Sequence, residues 1–243
     1  MEILYFAVEK IRERPASAEI FASFTRNKVR NAKLSRNKEG SFLLDGTARS
    51  GNTFATFIVK NLVGCDSFLH HKHTVAALRE ASKNKLPLYI LFRDPIDVVI
   101  SNALYTSSRS REFCWPFSLI DRKSRFMVDY YLYRWIRYYR FSLSLNSAKF
   151  FSAEGVFNNP KALAQVIAGD LEVRLIEIEI DLNTDFFRRK AAQAERQHNT
   201  LGAGIPNEAK TTAKSQLRHV AGSSRYYSEA SLLFDSLLRI ASV

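Results

Sequence analysis

Two cysteines in 243 residues, Cys65 and Cys114, exclude a disulfide framework, and their spacing fits no zinc-binding pattern. A reducing compartment fits that scarcity. Six prolines and nine glycines are scattered, so no Pro/Gly/Ser-rich linker divides the chain. The expectation is one domain over 1–243, with a basic helical segment over 1–40, a core over 41–182 and a closing loop and helix over 183–243. No apolar run is long enough to span a bilayer. The run at Met1–Lys10 is also too short for a signal peptide. A soluble, cytoplasmic protein is therefore expected. Internal repeats and low-complexity tracts are absent too, which sets aside solenoids and wholesale disorder.

Acidic residues are in deficit. There are 24 Asp and Glu against 36 Lys and Arg, a net charge of +12 and a pI near 9.8. That excess suits anionic partners: nucleotide phosphates, an acidic acceptor, nucleic acid or an anionic membrane surface. Part of it lies in Arg26, Lys28, Arg30, Lys33, Arg36 and Lys38. A solvated helix face is the ordinary reading of that stretch, and a peripheral docking surface the sharper one. Hydrophobic residues make up 46%, enough for a sizeable core.

Short apolar runs read as buried strands at Ser41–Asp45, Ser67–His73, Leu86–Phe92, Lys149–Ser152 and Val173–Ile178. Helical spacing follows at Phe54–Leu62, Thr74–Asn84, Ile96–Leu104, Arg125–Leu145, Pro160–Gly169 and Ser228–Ile240. Strands alternating with helices predict an α/β fold: three layers, a mainly parallel central sheet, helices on both faces and a P-loop-like strand–loop–helix.

The loop is Gly46-Thr-Ala-Arg-Ser-Gly-Asn-Thr53. It has the frame G-x-x-x-x-G-K-[ST], with Asn52 in the place of the lysine. Backbone amides and a helix N-terminus there favour a phosphate, and glycines allow close approach. The lysine reaches the outer phosphates in ATP and GTP enzymes. Here the cation, Arg49, stands three residues earlier. Chance glycine spacing at a strand–helix turn is the bland alternative for this loop alone.

A second constellation runs Arg93-Asp94-Pro95-Ile96-Asp97-Val98-Val99-Ile100-Ser101. Arg93 ends a predicted buried strand, where open α/β sheets place ligands. Ser101 lies eight residues on, about two helical turns into the next element. Both can meet on one phosphate, and Arg93 offers a forked, permanent charge. A structural salt bridge from Arg93 to Asp94 or Asp97 is the plainer reading, and the two can coexist.

With both motifs in hand, the chain resembles the sulfotransferases that use 3′-phosphoadenosine 5′-phosphosulfate (PAPS). Their first motif, a strand and an R/K-S-G-T-T-like loop, corresponds to Phe42–Phe54, and R-[DN]-P-x-D-x-x-x-S is met at each fixed position of Arg93–Ser101. Lys149–Glu154 followed by Asn159-Pro160 is a weaker third likeness, so the resemblance covers roughly residues 41–171. It implies that Arg49, Ser50, Gly51, Asn52, Thr53 and Phe54 hold the 5′-phosphosulfate. Arg93 and Ser101 would hold the 3′-phosphate. Asn52 departs from the family's usual Thr, the two motifs lie close together, and no clear R-K-G loop follows. Lys210, Lys214 and Arg218 are its candidates.

Sulfuryl transfer gains from a base near neutral pH, and histidine supplies one. Three of the five histidines crowd His70-His71-Lys72-His73. On a strand, His71 and His73 would share a face. The family's K-x-H element lies about twenty residues before the motif arginine, and His71 and His73 stand 22 and 20 residues before Arg93. His73 is the first candidate for the base and His71 the second, with Lys72 as electrostatic support. Arg49 suits the charge that develops on the leaving phosphate. No acidic or cysteine partners flank the histidines, so no metal is expected.

Tyr130, Tyr131, Tyr133, Trp135, Tyr138, Tyr139 and Phe141 alternate with Arg134, Arg137 and Arg140. Stacking on sugars or bases is one use; core packing beneath a snorkelling basic face is the commoner one. Phe113, Trp115 and Phe117 are placed to line an acceptor pocket. The leading reading is transfer of a sulfuryl group from PAPS to an acceptor hydroxyl, on a carbohydrate or glycolipid. A P-loop nucleotide kinase or phosphotransferase is the second reading. A basic nucleic-acid-binding protein is the third, although no known nucleic-acid motif accompanies the charge.

Overall fold

The computed structural model describes residues 42–109, 120–177, 181–186, 188–189, 215 and 217–242. The basic segment over 1–40, the Phe113–Phe117 aromatics, and Lys210 and Lys214 lie outside the described residues.

Four strands form one parallel sheet: β1 (Leu43–Gly46), β2 (Leu69–His70), β3 (Leu88–Phe92) and β4 (Ala148–Ser152), in the order β2-β1-β3-β4. Parallel strands are covered on both faces and read as unbroken apolar runs. Leu88-Tyr-Ile-Leu-Phe92 is such a run, and all five residues are buried. The connecting elements are α1 (Asn52–Ile58), which continues as a π-helical turn (Val59–Val63), α2 (Val75–Lys83), α3 (Pro95–Arg109), α4 (Ile120–Leu143), α5 (Ala153–Asn158), α6 (Pro160–Asp170) and α7 (Tyr227–Ile240).

The pleat divides the sheet's side chains between two cores. Leu43, Leu88, Ile90, Phe92 and Phe150 face a cluster with Leu78 of α2, Val98 and Val99 of α3, Trp135 and Tyr139 of α4, and Leu237 of α7. Phe42, Leu44, Tyr89, Leu91 and Phe151 face Phe54 and Ile58 of α1, Val156 of α5, and Leu163 and Ile167 of α6. Helices therefore cover both faces, as the alternating pattern predicts. Each fully buried Leu or Phe contributes about 1.5–3 kcal/mol. Among the described residues, no helix is long and apolar enough to cross a membrane.

Local chemistry sets the helix starts. Thr74 caps α2 by accepting from the Ala77 amide at 3.2 Å. Ser152 caps α5 through the Gly155 amide at 2.9 Å. Asn159 caps α6 ahead of Pro160, as the Asn-Pro pair predicts.

Two strand expectations need correction. The second strand ends at His70, and His71 and His73 adopt left-handed backbone, with φ of 55° and 54°. Strand alternation therefore does not relate them. Val173–Glu177 is not a strand. Its amides turn to helix ends instead: Val173 N–H donates to Ala168 O at 3.0 Å and Ile176 N–H to Leu62 O at 2.7 Å. Val173 and Ile176 stay exposed, so their apolar alternation meets no sheet. Ile178 lies outside the described residues.

Candidate functional site at the carboxyl edge of the sheet

The parallel strands deliver their candidates to one edge. Gly46 pairs with Leu91 at the ends of β1 and β3, and Leu44 pairs with His70 of β2. The Gly46–Thr53 loop, the His71–His73 segment and Arg93 consequently leave the sheet side by side, and α5 starts beyond β4 on the same edge.

Gly46 is required by space. A Cβ there would stand 2.1 Å from Leu91 O. Arg49 follows at φ 74° and Gly51, at φ 88°, begins α1 without a side-chain cap. Left-handed backbone at a non-glycine residue is uncommon and costs energy that the surroundings must offset. A net beneath the loop does so. Tyr139 donates to Leu91 O at 2.6 Å, its hydroxyl lies 3.1 Å from Ser50 Oγ, and it accepts from the Thr47 amide at 3.3 Å. Thr47 Oγ1 and Ser50 Oγ lie 2.7 Å apart. Asn52 donates across the loop to Thr47 O at 2.9 Å, and Asn102 of α3 donates to Ala48 O at 3.1 Å. Burial, partly offset by its hydroxyl partners, pushes the Tyr139 phenol up to about 12, so it stays a neutral donor.

This net sorts the loop's predicted ligands. Ser50, Asn52 and Phe54 are buried, and their side chains serve the fold. Phe54 stacks on Phe157 at 4.4 Å. Asn52, in the lysine position, is turned inward. These residues can present only backbone amides to a ligand; Thr53 is exposed and can present its hydroxyl as well. Amides at a helix start have no intrahelical acceptor.

Arg49 Nε donates to Ser101 Oγ at 3.0 Å. The loop and the second motif therefore meet through Arg49 and Ser101. In the second motif, Asp94 accepts from the Asp97 amide at 2.9 Å and Pro95 opens α3, which explains the Asp-Pro pair as a helix start. Asp97 then takes two arginines: Arg93 at 3.2 Å and Arg218 at 2.7 Å. The salt bridge expected as the plain reading of Arg93 is present, and the C-terminal segment contributes a cation to it. Arg218 is 61% exposed, while Arg93 and Asp97 are partly buried.

Beside the loop, Asp45 is fully buried. Its Oδ2 accepts from the His73 amide at 2.7 Å and from Tyr138 at 3.2 Å. His73 Nδ1 lies 3.1 Å from Asp45 Oδ1 and 2.6 Å from Gly46 O. Burial opposes charge on His73, but the Asp45 carboxylate and the bond to Gly46 O outweigh it, so the pKa is raised. His70 is lowered, by burial and then by Lys60 and Lys72. His71 is exposed, with its ring 5.5 Å from that of His73.

Four contributors were not expected from the sequence. Asp45 reads as the end of a strand, and Tyr138 and Tyr139 read as core aromatics in a run of many. Only the loop-to-helix pairing across 89–93 residues reveals them. Asn102 carries a weaker signal as a polar neighbour of Ser101. The rest of the aromatic stretch follows the core-and-snorkel reading: Tyr130 and Trp135 are buried, while Arg134 and Arg137 lie over the rings of Tyr130 and Tyr133 at 5.7 and 5.6 Å.

Among the described residues, no group of three or more His, Cys, Asp and Glu is placed to hold a metal ion. No family model, curated protein sequence or solved structure matches the chain.

Proposed function

We propose that this chain is a PAPS-dependent sulfotransferase that moves a sulfuryl group to an acceptor hydroxyl. The observation that carries the reading is the 3.0 Å contact between Arg49 and Ser101. It joins a P-loop-like loop without lysine to the R-D-P-x-D-x-x-x-S constellation at one sheet edge. A donor with a 5′-phosphosulfate and a separate 3′-phosphate asks for two adjoining anion sites. In this reading the amides of Gly51–Phe54 with Arg49 hold the 5′ end, and Arg93 and Ser101 the 3′-phosphate, with Arg218 beside them. His73 takes the hydroxyl proton.

The kinase reading is less well supported. Asn52 replaces the lysine that reaches outer phosphates, and it is spent on Thr47 O. For the acceptor, a carbohydrate or glycolipid hydroxyl is the class to test first, because the +12 charge suits acidic glycans and headgroups.

Thermal shift tests the reading directly. Adenosine 3′,5′-bisphosphate should raise the melting temperature, by about 2.7 kcal/mol of stabilisation at a hundredfold excess over Kd. ATP and an oligonucleotide should do less. Stabilisation by ATP alone would favour a phosphotransferase, and by the oligonucleotide alone a nucleic-acid-binding protein.

A further inference from the structure

We infer that Asp45 is a positioning residue that, together with Gly46 O, holds His73 with its proton on Nδ1 and leaves Nε2 as the proton-accepting atom. The inference rests on the sulfotransferase reading for the use of that atom, but its geometry stands apart from it.

His73 Nδ1 faces two acceptors, Gly46 O at 2.6 Å and Asp45 Oδ1 at 3.1 Å. A bare ring nitrogen between two oxygens would be repelled by both, so the proton sits on Nδ1. Neutral His73 then carries its lone pair on Nε2. Asp45 is fully buried, and the His73 amide and Tyr138 hydroxyl both donate to Oδ2. It is held through Oδ2, while its buried Oδ1 accepts no hydrogen bond among the described residues and lies beside the His73 ring. One residue thus holds both the backbone and the ring of His73, whose φ of 54° needs such support.

In the step this serves, the acceptor oxygen bonds to sulfur and the bond from sulfur to the 5′-phosphate oxygen breaks. The electron pair leaves with adenosine 3′,5′-bisphosphate. The hydroxyl proton passes to Nε2, and the resulting imidazolium is stabilised by Asp45 before solvent takes the proton. The groups around His73 are Asp45 on β1, Tyr138 and Arg134 on α4, and His70, His71 and Lys72 on its own segment. Of these, Asp45 alone is negative.

Nitrogen-15 NMR of the histidine rings in the wild-type chain is the first test. The proposal expects the neutral His73 ring to carry its proton on Nδ1; a proton on Nε2 overturns it. Asp45→Asn is the second. Loss of a carboxylate this close should lower the His73 midpoint by about 1–3 pH units. In turnover, the acid limb should move to lower pH and the plateau should fall, with bisphosphate affinity unchanged. An unmoved midpoint also overturns the proposal, and if Asp45→Asn does not fold, the wild-type tautomer still decides. The NMR arms need neither donor nor acceptor. A chain with the Nδ1–H tautomer that ignores the bisphosphate keeps the dyad and loses the sulfotransferase reading. A chain that binds the bisphosphate with an Nε2–H ring does the reverse.

Discussion

The two halves of the candidate site are built differently. The β1 half is buried and held by a hydrogen-bond net: Tyr139 to Leu91 O, Asn52 to Thr47 O and Tyr138 to the Asp45 carboxylate. The β3 half is held by charge at its more open rim, with Asp97 shared between part-buried Arg93 and exposed Arg218. A buried network fixes one geometry because each unsatisfied member is costly. An exposed ion pair contributes little and is easily exchanged for a ligand. The first half is thus preorganised, while in the second, under the proposed reading, an arriving phosphate would compete with Asp97 for its arginines.

The largest break of this contrast is Gly46→Ala. Its methyl group would meet Leu91 O at 2.1 Å, a backbone atom that cannot rotate away. A loss of about 3 kcal/mol or more is expected in urea unfolding. An unchanged midpoint would show that β1 and β3 part easily and that the loop's base is not rigid.

Tyr139→Phe comes next. It removes the donor to Leu91 O and the partner of Ser50 and the Thr47 amide. A loss of about 1–3 kcal/mol is expected, together with weaker bisphosphate binding. Full retention of both would place the loop's order elsewhere.

Stability should also depend on pH through His73. Its folded pKa is raised, chiefly because the Asp45 carboxylate overcomes the opposing effect of burial. The associated stability is complete below the unfolded value near 6.5 and is lost as pH rises through the folded value. Urea midpoints compared between wild type and His73→Gln should converge at alkaline pH. Parallel profiles would contradict the pairing.

Arg218→Ala is expected to have the smallest effect. At 61% exposure, its pair with Asp97 should contribute at most about 1 kcal/mol, and less in high salt. A larger, salt-independent loss would make the β3 half as rigid as the β1 half.

The layered fold was legible in the sequence because parallel strands such as Leu88–Phe92 carry unmistakable apolar runs. The helix starts were legible where a cap residue marks them, as at Asn159-Pro160. Val173–Glu177 misled because its alternation looks like a strand, while its amides bond to Ala168 and Leu62. In the site, Gly46, Gly51 and the Arg93–Ser101 spacing were readable as local patterns. The roles within the loop were not. Nothing local shows that Ser50 faces inward, since its partner Tyr139 comes from α4 crossing beneath the loop, while Asn52 folds back onto Thr47 O within the loop itself. Asp45 stayed hidden for the same reason: its partners, His73 and Tyr138, lie 28 and 93 residues away.

The central claim is that the two halves bind one donor with two separate phosphate positions. Calorimetric titration with adenosine 3′,5′-bisphosphate, into wild type, Arg49→Ala and Arg93→Ala, tests it most directly. The account predicts binding by wild type and a loss of roughly 10–100-fold in each variant, as expected for removing one charged hydrogen-bonding group. Undiminished binding in Arg93→Ala, or a wild type that binds ATP and ignores the bisphosphate, would contradict it.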